Sequence, residues 1–155
     1  HHGGQSDRER GSWIATNTKS LNAYAKNGGT SVVDILPTLA KHLDVPLSTK
    51  QKRELDGVAL TGKVSISNPE VSLADGKATL YWISQNTDEK VKIWLSSSNN
   101  YKETGTPDQY KLLGEVPAKE GQFIIDLSKQ PVSSIYKVVI EGQHNTVNRW
   151  LVNYK

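Results

Sequence analysis

The chain has 155 residues, no cysteine and a formal charge of +3 at pH 7. That length fits about one ordinary domain, or a small domain with an appendage. The lack of Cys excludes disulfides, thiolate metal sites and a cysteine nucleophile. Lysines scattered singly through the chain argue against nucleic-acid binding, and no apolar run approaches the ~20 residues of a membrane span.

In chain order, His1 to Ser12 reads as loop, and the paired histidines also match a purification-tag remnant. Trp13-Ile14-Ala15-Thr16 is rich in β-formers and predicts a short strand. Asn17 to Asn22 is polar loop, and Asn27-Gly28-Gly29 is a turn signal. Ser31 followed by Asp34 gives a capping-box-like helix start. Val32, Ile35, Leu36, Leu39 and Leu43 then recur at helical spacing on one apolar face. Pro37 removes an intrahelical bond, so it must bend this helix or sit near its first turn. Val45-Pro46 ends it, and Ser48 or Thr49 caps a further short turn over Lys50–Glu54. Leu55-Asp56-Gly57-Val58-Ala59-Leu60-Thr61-Gly62 is the junction to a different texture.

From Gly62 onward the chain alternates apolar and polar residues. Lys63–Ser67 predicts a first strand, broken by Asn68-Pro69. Asp75-Gly76 is a hairpin-type turn leading into Lys77–Ile83, where Ala78, Leu80 and Trp82 share one face and Tyr81 points away. Val91, Ile93 and Leu95 alternate with Lys90, Lys92 and Trp94, which turns Trp94 outward. Ser96 to Asp108 is a long polar loop holding Tyr101. Tyr110–Val116, Gln122–Leu127, Ile135–Glu141 and Val147–Tyr154 complete the strands, and Trp150 lies in the last of them. Turn signals every ~8–12 residues predict an antiparallel β-sandwich. The expected fold class is mainly β, with a sandwich over 62–155 preceded by a partial α/β segment over 1–61 of one strand and one or two helices.

Two sets of residues carry family resemblances. His2-Gly3-Gly4, Arg10, Trp13–Thr16, Val33-Asp34-Ile35-Leu36-Pro37-Thr38-Leu39 and Asp56-Gly57-Val58-Ala59-Leu60 stand in an order that resembles the last segment of an alkaline phosphatase superfamily hydrolase. The sulfatase and type I phosphodiesterase branch is the most similar. Ala59 departs from it, since that family usually has Ser there. In the sandwich, Trp82, Leu127 and the Tyr136-x-Val138-x-Ile140 pattern resemble a fibronectin type III domain. Tyr136 is placed as a tyrosine corner, whose hydroxyl bonds upstream backbone.

The first resemblance implies metal-dependent hydrolysis of phosphate or sulfate esters by a large α/β domain. Two metal ions, commonly zinc, would hold the phosphoryl oxygens and lower the pKa of the nucleophile. It matches His2 to a late metal ligand. One His is not a site, because a catalytic zinc needs about three protein ligands. The Thr or Ser nucleophile and its Asp-His pair would lie upstream, in a region absent from this chain. Residues 1–61 would then be a remnant of the catalytic domain and 62–155 an accessory domain. The parent would be secreted or periplasmic, and this fragment alone would be inactive and bind no metal tightly.

The residues themselves offer no catalytic constellation. Asp7, Glu9 and Asp34 read as loop and cap residues, Asp75, Asp88 and Asp108 as turn residues, and His42 and His144 as surface histidines lacking a second ligand. The candidate binding surface is aromatic: Tyr81, Trp94, Tyr101 and Trp150. Flat rings stack on sugars or anchor a protein partner. The preferred reading is that Tyr81 and Trp94 are instead covered by the first segment or by the missing catalytic domain. The alternative is a stand-alone carbohydrate- or protein-binding sandwich, and a third reading is a purely adhesive sandwich with a disordered N-terminus. The apolar faces of residues 13–16 and 32–43 need a partner: the sandwich, a neighbouring copy, or none.

Overall fold

In the computed structural model, residues 6, 11 and 13–153 are described. The alternating region forms β1 (Ile66–Ala74), β2 (Lys77–Ser84), β3 (Lys90–Ser96), β4 (Lys111–Pro117), β5 (Gln122–Asp126), β6 (Ile135–Glu141) and β7 (Thr146–Val152). They make two antiparallel sheets, ordered β1-β2-β5 and β4-β3-β6-β7. Period-two side chains fill the space between them. Ala78, Leu80 and Trp82 meet Val91, Ile93, Leu95, Val138 and Ile140 in one buried cluster. The mainly β sandwich read from the sequence is the fold observed. The buried indole of Trp82 donates to Ala118 O at 2.8 Å. Tyr136 donates its hydroxyl to Pro131 O at 2.7 Å, the upstream bond expected of it.

Three local expectations are corrected. Residues 13–16 form no strand; Trp13 is 89% exposed, and β propensity without a pairing edge does not make a ladder. Asn68-Pro69 does not break β1. The strand absorbs the pair as a register shift between Ser67 and Glu70, with Asn68 at φ 50°; a bulge is where a strand accommodates a residue without an N–H. The polar stretch 96–108 contains a helical turn, Asn100–Thr104, closed by Gly105 in the left-handed region.

The segment before the sandwich is built from polar stitches. A first helix, α1 (Ala23–Lys26), is capped by Asn22, whose Oδ1 accepts from Ala25 N at 2.9 Å. A 3-10 turn (Val32–Asp34) runs into α2 (Ile35–His42). Pro37 falls in the first turn of α2, where a helix has no use for its N–H. Ser48 caps α3 (Thr49–Glu54), with Gln51 reaching back to Ser48 N at 2.9 Å.

Asp34, 1% exposed, joins these pieces. Its Oδ2 accepts from Tyr24 OH and from Ser31 N, both at 2.8 Å, and its Oδ1 accepts from Val58 N at 2.7 Å. One turn on, Thr38 Oγ1 donates to Asp34 O at 2.6 Å and accepts from Leu60 N at 2.9 Å. Gly57 lies so close to the 3-10 turn that a Cβ there would sit 2.1 Å from Val33 O. Tyr24, Val58 and Leu60, held in this way, enter the same buried cluster as the sandwich side chains. Burial and the Asp34 carboxylate push the Tyr24 hydroxyl well above its ordinary pKa.

This docking turns the apolar stripe of α2 outward. Ala40 is the helix's one buried residue. Val32, Val33, Ile35, Leu36, Leu39, Leu43 and Val45 are all exposed. The helix is seated by Asp34 and Thr38, not by its leucines.

Asp34→Ala leaves the donors of Tyr24, Ser31 and Val58 without their acceptor, and Gly57→Ala forces backbone apart. Each is expected to destabilise the chain by about 3 kcal/mol in urea denaturation. Asp88→Ala, at an exposed turn, is expected to stay within about 0.5 kcal/mol. A loss below about 1 kcal/mol at Asp34 would contradict the clasp.

Candidate functional site

The outer face of the four-stranded sheet carries a connected group of polar and aromatic side chains. Register places Ser96, Lys137 and Trp150 in one row across β3, β6 and β7, and Trp94, Val139 and Asn148 in the next. Directly opposed residues share a face. A row of this kind is normally solvated, but here α3 lies over it. Asn148 Nδ2 donates to Arg53 O at 2.9 Å. The Arg53 guanidinium stacks 4.0 Å from the Trp94 ring centroid and 5.3 Å from that of Tyr110. It also pairs with Glu141 at 3.2 Å. A planar cation suits both contacts.

The neighbouring Glu54 reaches Lys137, which is fully buried and also pairs with Asp108 at 2.7 Å. Asp108 Oδ1 in turn accepts from Ser98 Oγ at 2.6 Å and Asn100 N at 2.7 Å. Burial by itself would raise the Asp108 pKa. The bonds from Lys137, Ser98 and Asn100 outweigh it and hold the carboxyl below its usual range. Tyr110 donates to Glu54 at 3.0 Å; burial, then the charge on Glu54, push its hydroxyl far above the ordinary value. A polar cleft of about 500 Å³ opens beside this group, lined by Lys50, Arg53, Tyr101, Asp108 and Tyr110 among others.

Chemically this is a clamp. The ammonium faces two carboxylates, and both are held by further donors. Buried pairs of this sort fix one arrangement of the chain more than they add net stability, whereas removing one partner is costly.

The four aromatic candidates separate. Trp94 is half-buried under Arg53, so it is covered by the first segment, through α3 and not through α2. Trp150 is 40% exposed, with Lys137 Nζ 5.3 Å from its ring centroid. Tyr101 sits at the cleft, 38% exposed. Tyr81 lies on β2 of the other sheet, 42% exposed, and does not join them.

His2, the position matched to a metal ligand, lies outside the described residues, as do Asp7 and Glu9. Among the described residues no group of three or more His, Asp or Glu side chains could hold a metal ion. Asp34 is the clasp described above. Asp75 is a turn residue at φ 50°, and His42 is exposed on α2. Asp108 is corrected: it is a buried ion-pair partner and not a turn residue. The residues that sequence reasoning missed are Arg53, Glu54, Tyr110 and Lys137. The one available signal was Lys137 itself, a cation flanked in its strand by Ile135, Tyr136, Val138 and Val139.

No protein-family profile and no curated protein matches the chain. Solved structures with some likeness include the spore cortex lytic enzyme SleM of Clostridium perfringens, at 14% identity and TM-score 0.43, over 61% of this chain and 29% of that one. Pectate lyase Pel3 of Pectobacterium carotovorum is another, at 13% identity and TM-score 0.40, over 56% of this chain and 26% of that one. The chain spans less than a third of the length of either. Likeness this shallow assigns neither a family nor an activity.

Asp108→Asn leaves buried Lys137 facing Glu54 as its one carboxylate and is expected to cost about 2–4 kcal/mol at pH 7. The folded-state pKa of Asp108 is depressed. Its contribution is therefore present above the unfolded value of about 3.9 and is lost as pH falls through the lower folded value. Urea denaturation at stepped pH should show the gap between wild type and variant narrowing below about pH 4. A gap that stays constant down to the acid transition would contradict this.

Proposed function

We propose that this chain is the C-terminal part of a metal-dependent hydrolase of phosphate or sulfate esters, with the sandwich as an accessory domain. The order of the family-like runs over residues 33–39 and 56–60 carries the chemistry of this reading, and the exposed stripe of Val32, Ile35, Leu36, Leu39 and Leu43 supports a further body. Contiguous exposed apolar side chains mark a surface that another body covers, and the proposed body is the catalytic α/β domain. The clasp between Asp34, Thr38 and residues 57–60 supports it as well. It gives the two family-like runs a packing role, which is what the closing segment of a catalytic domain would keep. The strand order β1-β2-β5 and β4-β3-β6-β7 is compatible with a fibronectin type III-like accessory domain.

In such a parent, secreted or periplasmic, a divalent metal, commonly zinc, would polarise the ester oxygens, with His2 as one ligand. The nucleophile and most of the metal ligands would lie upstream on this reading, so this chain alone is expected to hold no metal tightly and to be inactive. A stand-alone carbohydrate- or protein-binding sandwich is less well supported. Its aromatic platform is divided, with Tyr81 on one sheet and Trp94 capped by Arg53 on the other.

With zinc added, the purified chain is expected to give no turnover of nitrophenyl phosphate or nitrophenyl sulfate above the blank. The coding sequence upstream of His1 is expected to encode a metal-binding Asp followed by Thr or Ser, then an Asp-His-Gly run. A longer chain carrying these should be active, and Leu36→Asp with Leu39→Asp should lower its melting temperature by about 4 °C or more. Turnover by this chain, or an upstream region without those residues, would overturn the reading.

A further inference from the structure

A second concavity, of about 390 Å³, lies where α2, the loop to α3 and the β6–β7 turn meet. Its size falls in the range of small-ligand sites, about 300–1,000 Å³. Its apolar lining comes from Pro37, Ala40, Val45, Leu47, Leu55 and Ala59, and the polar remainder includes Lys41, Lys52 and His144. No carboxylate lines it. Both lysines are exposed, and among the described residues neither is paired with an acid.

Two of its walls are held by close packing and hydrogen bonds. Gly57 on one side abuts Val33 O, and Gly142 on the other would place a Cβ 2.4 Å from that of Ser65. The β6–β7 turn is tied down by His144 N donating to Ser65 Oγ at 2.8 Å and by Asn145 Oδ1 accepting from Ser65 N at 2.9 Å. An apolar concavity bordered by unpaired cations complements one kind of solute.

The geometry points to a binding site for a small free anionic amphiphile, a molecule with one apolar body and a single carboxylate, sulfonate or phosphate head. The body displaces water from the Leu47–Leu55 side, and the head lies within reach of Lys52, and of Lys41 once its ammonium swings away from Gly62. Burial of the body supplies most of the affinity; the lysines select for charge. This site is independent of the hydrolase reading, because its walls come entirely from the described residues.

Titration with anilinonaphthalene sulfonate, read by fluorescence and by amide NMR shifts, tests it. Shifts are expected at Leu47, Gly142, Gln143 and His144, and decanoate is expected to compete. Lys41→Glu with Lys52→Glu should weaken dye binding about tenfold. Leu36→Asp with Leu39→Asp, on the separate outer stripe, should leave it within about twofold. The uncharged phenylnaphthylamine should bind about tenfold more weakly than the sulfonate. Affinity unchanged by the charge reversals, loss of binding in the stripe variant, equal affinity for the uncharged dye, failure of decanoate to compete, or shifts confined to the outer face of α2 would each overturn the assignment. The wild-type shift map reads the site even if a variant fails to fold.

Discussion

One buried carboxylate gathers α1, the start of α2 and the stretch leading into the sandwich. Asp34 accepts hydrogen bonds from Tyr24, Ser31 and Val58, which lie on three separate stretches of chain. A charge removed from water is tolerated only when its lone pairs are satisfied. Those three stretches therefore cannot shift independently of one another. With Val58 fixed, Leu60 and Tyr24 are carried into the hydrophobic cluster that the two sheets share. Without Asp34 the same apolar residues would have no unique way to enter it.

A second buried charge does for the far side what Asp34 does for the near side. Lys137 draws Glu54 from α3 and Asp108 from the extended stretch before β4 onto the outer face of β6. Arg53 spreads over Trp94 beside them. The first segment is thus fastened to the sandwich by polar contacts at two places, while α2 between them leaves its leucines in solvent. Ordinary amphipathic helices reverse this arrangement and put the apolar stripe inside. The reversal is what makes an external partner for α2 the natural reading. It also places the cationic, carboxylate-free groove at the point where the two fastened parts meet.

Much of this was legible in the sequence. Period-two alternation gave the strands, the inward set Val91, Ile93 and Leu95, the outward direction of Trp94, and the buried Trp82. These follow from local geometry, since neighbouring strand residues must face opposite ways. The cap of α3 was legible as a choice between Ser48 and Thr49 for a similar reason, since a cap acts within one turn; the structure selects Ser48 and adds Gln51. The Tyr136 hydroxyl bond was legible because its acceptor, Pro131, lies only a few residues upstream.

What the sequence could not decide was which distant groups meet. Val32, Leu36, Leu39 and Leu43 read as one apolar face in need of a partner (the sandwich, a neighbouring copy, or none), and the period is real. Yet the side that docks is the polar one, because Val58 and Leu60 offer backbone N–H groups to Asp34 and Thr38. Asp108 has the local look of a turn residue, and only the position of Lys137 makes it an ion-pair partner. Asn68-Pro69 signals a break, and pairing with β2 turns it into a bulge. By itself the sequence determined the period, the turns and the caps, which depend on neighbours along the chain. The tertiary structure decided which buried charges pair, which face of α2 is covered, and where a groove remains, because those depend on groups brought together across dozens of residues.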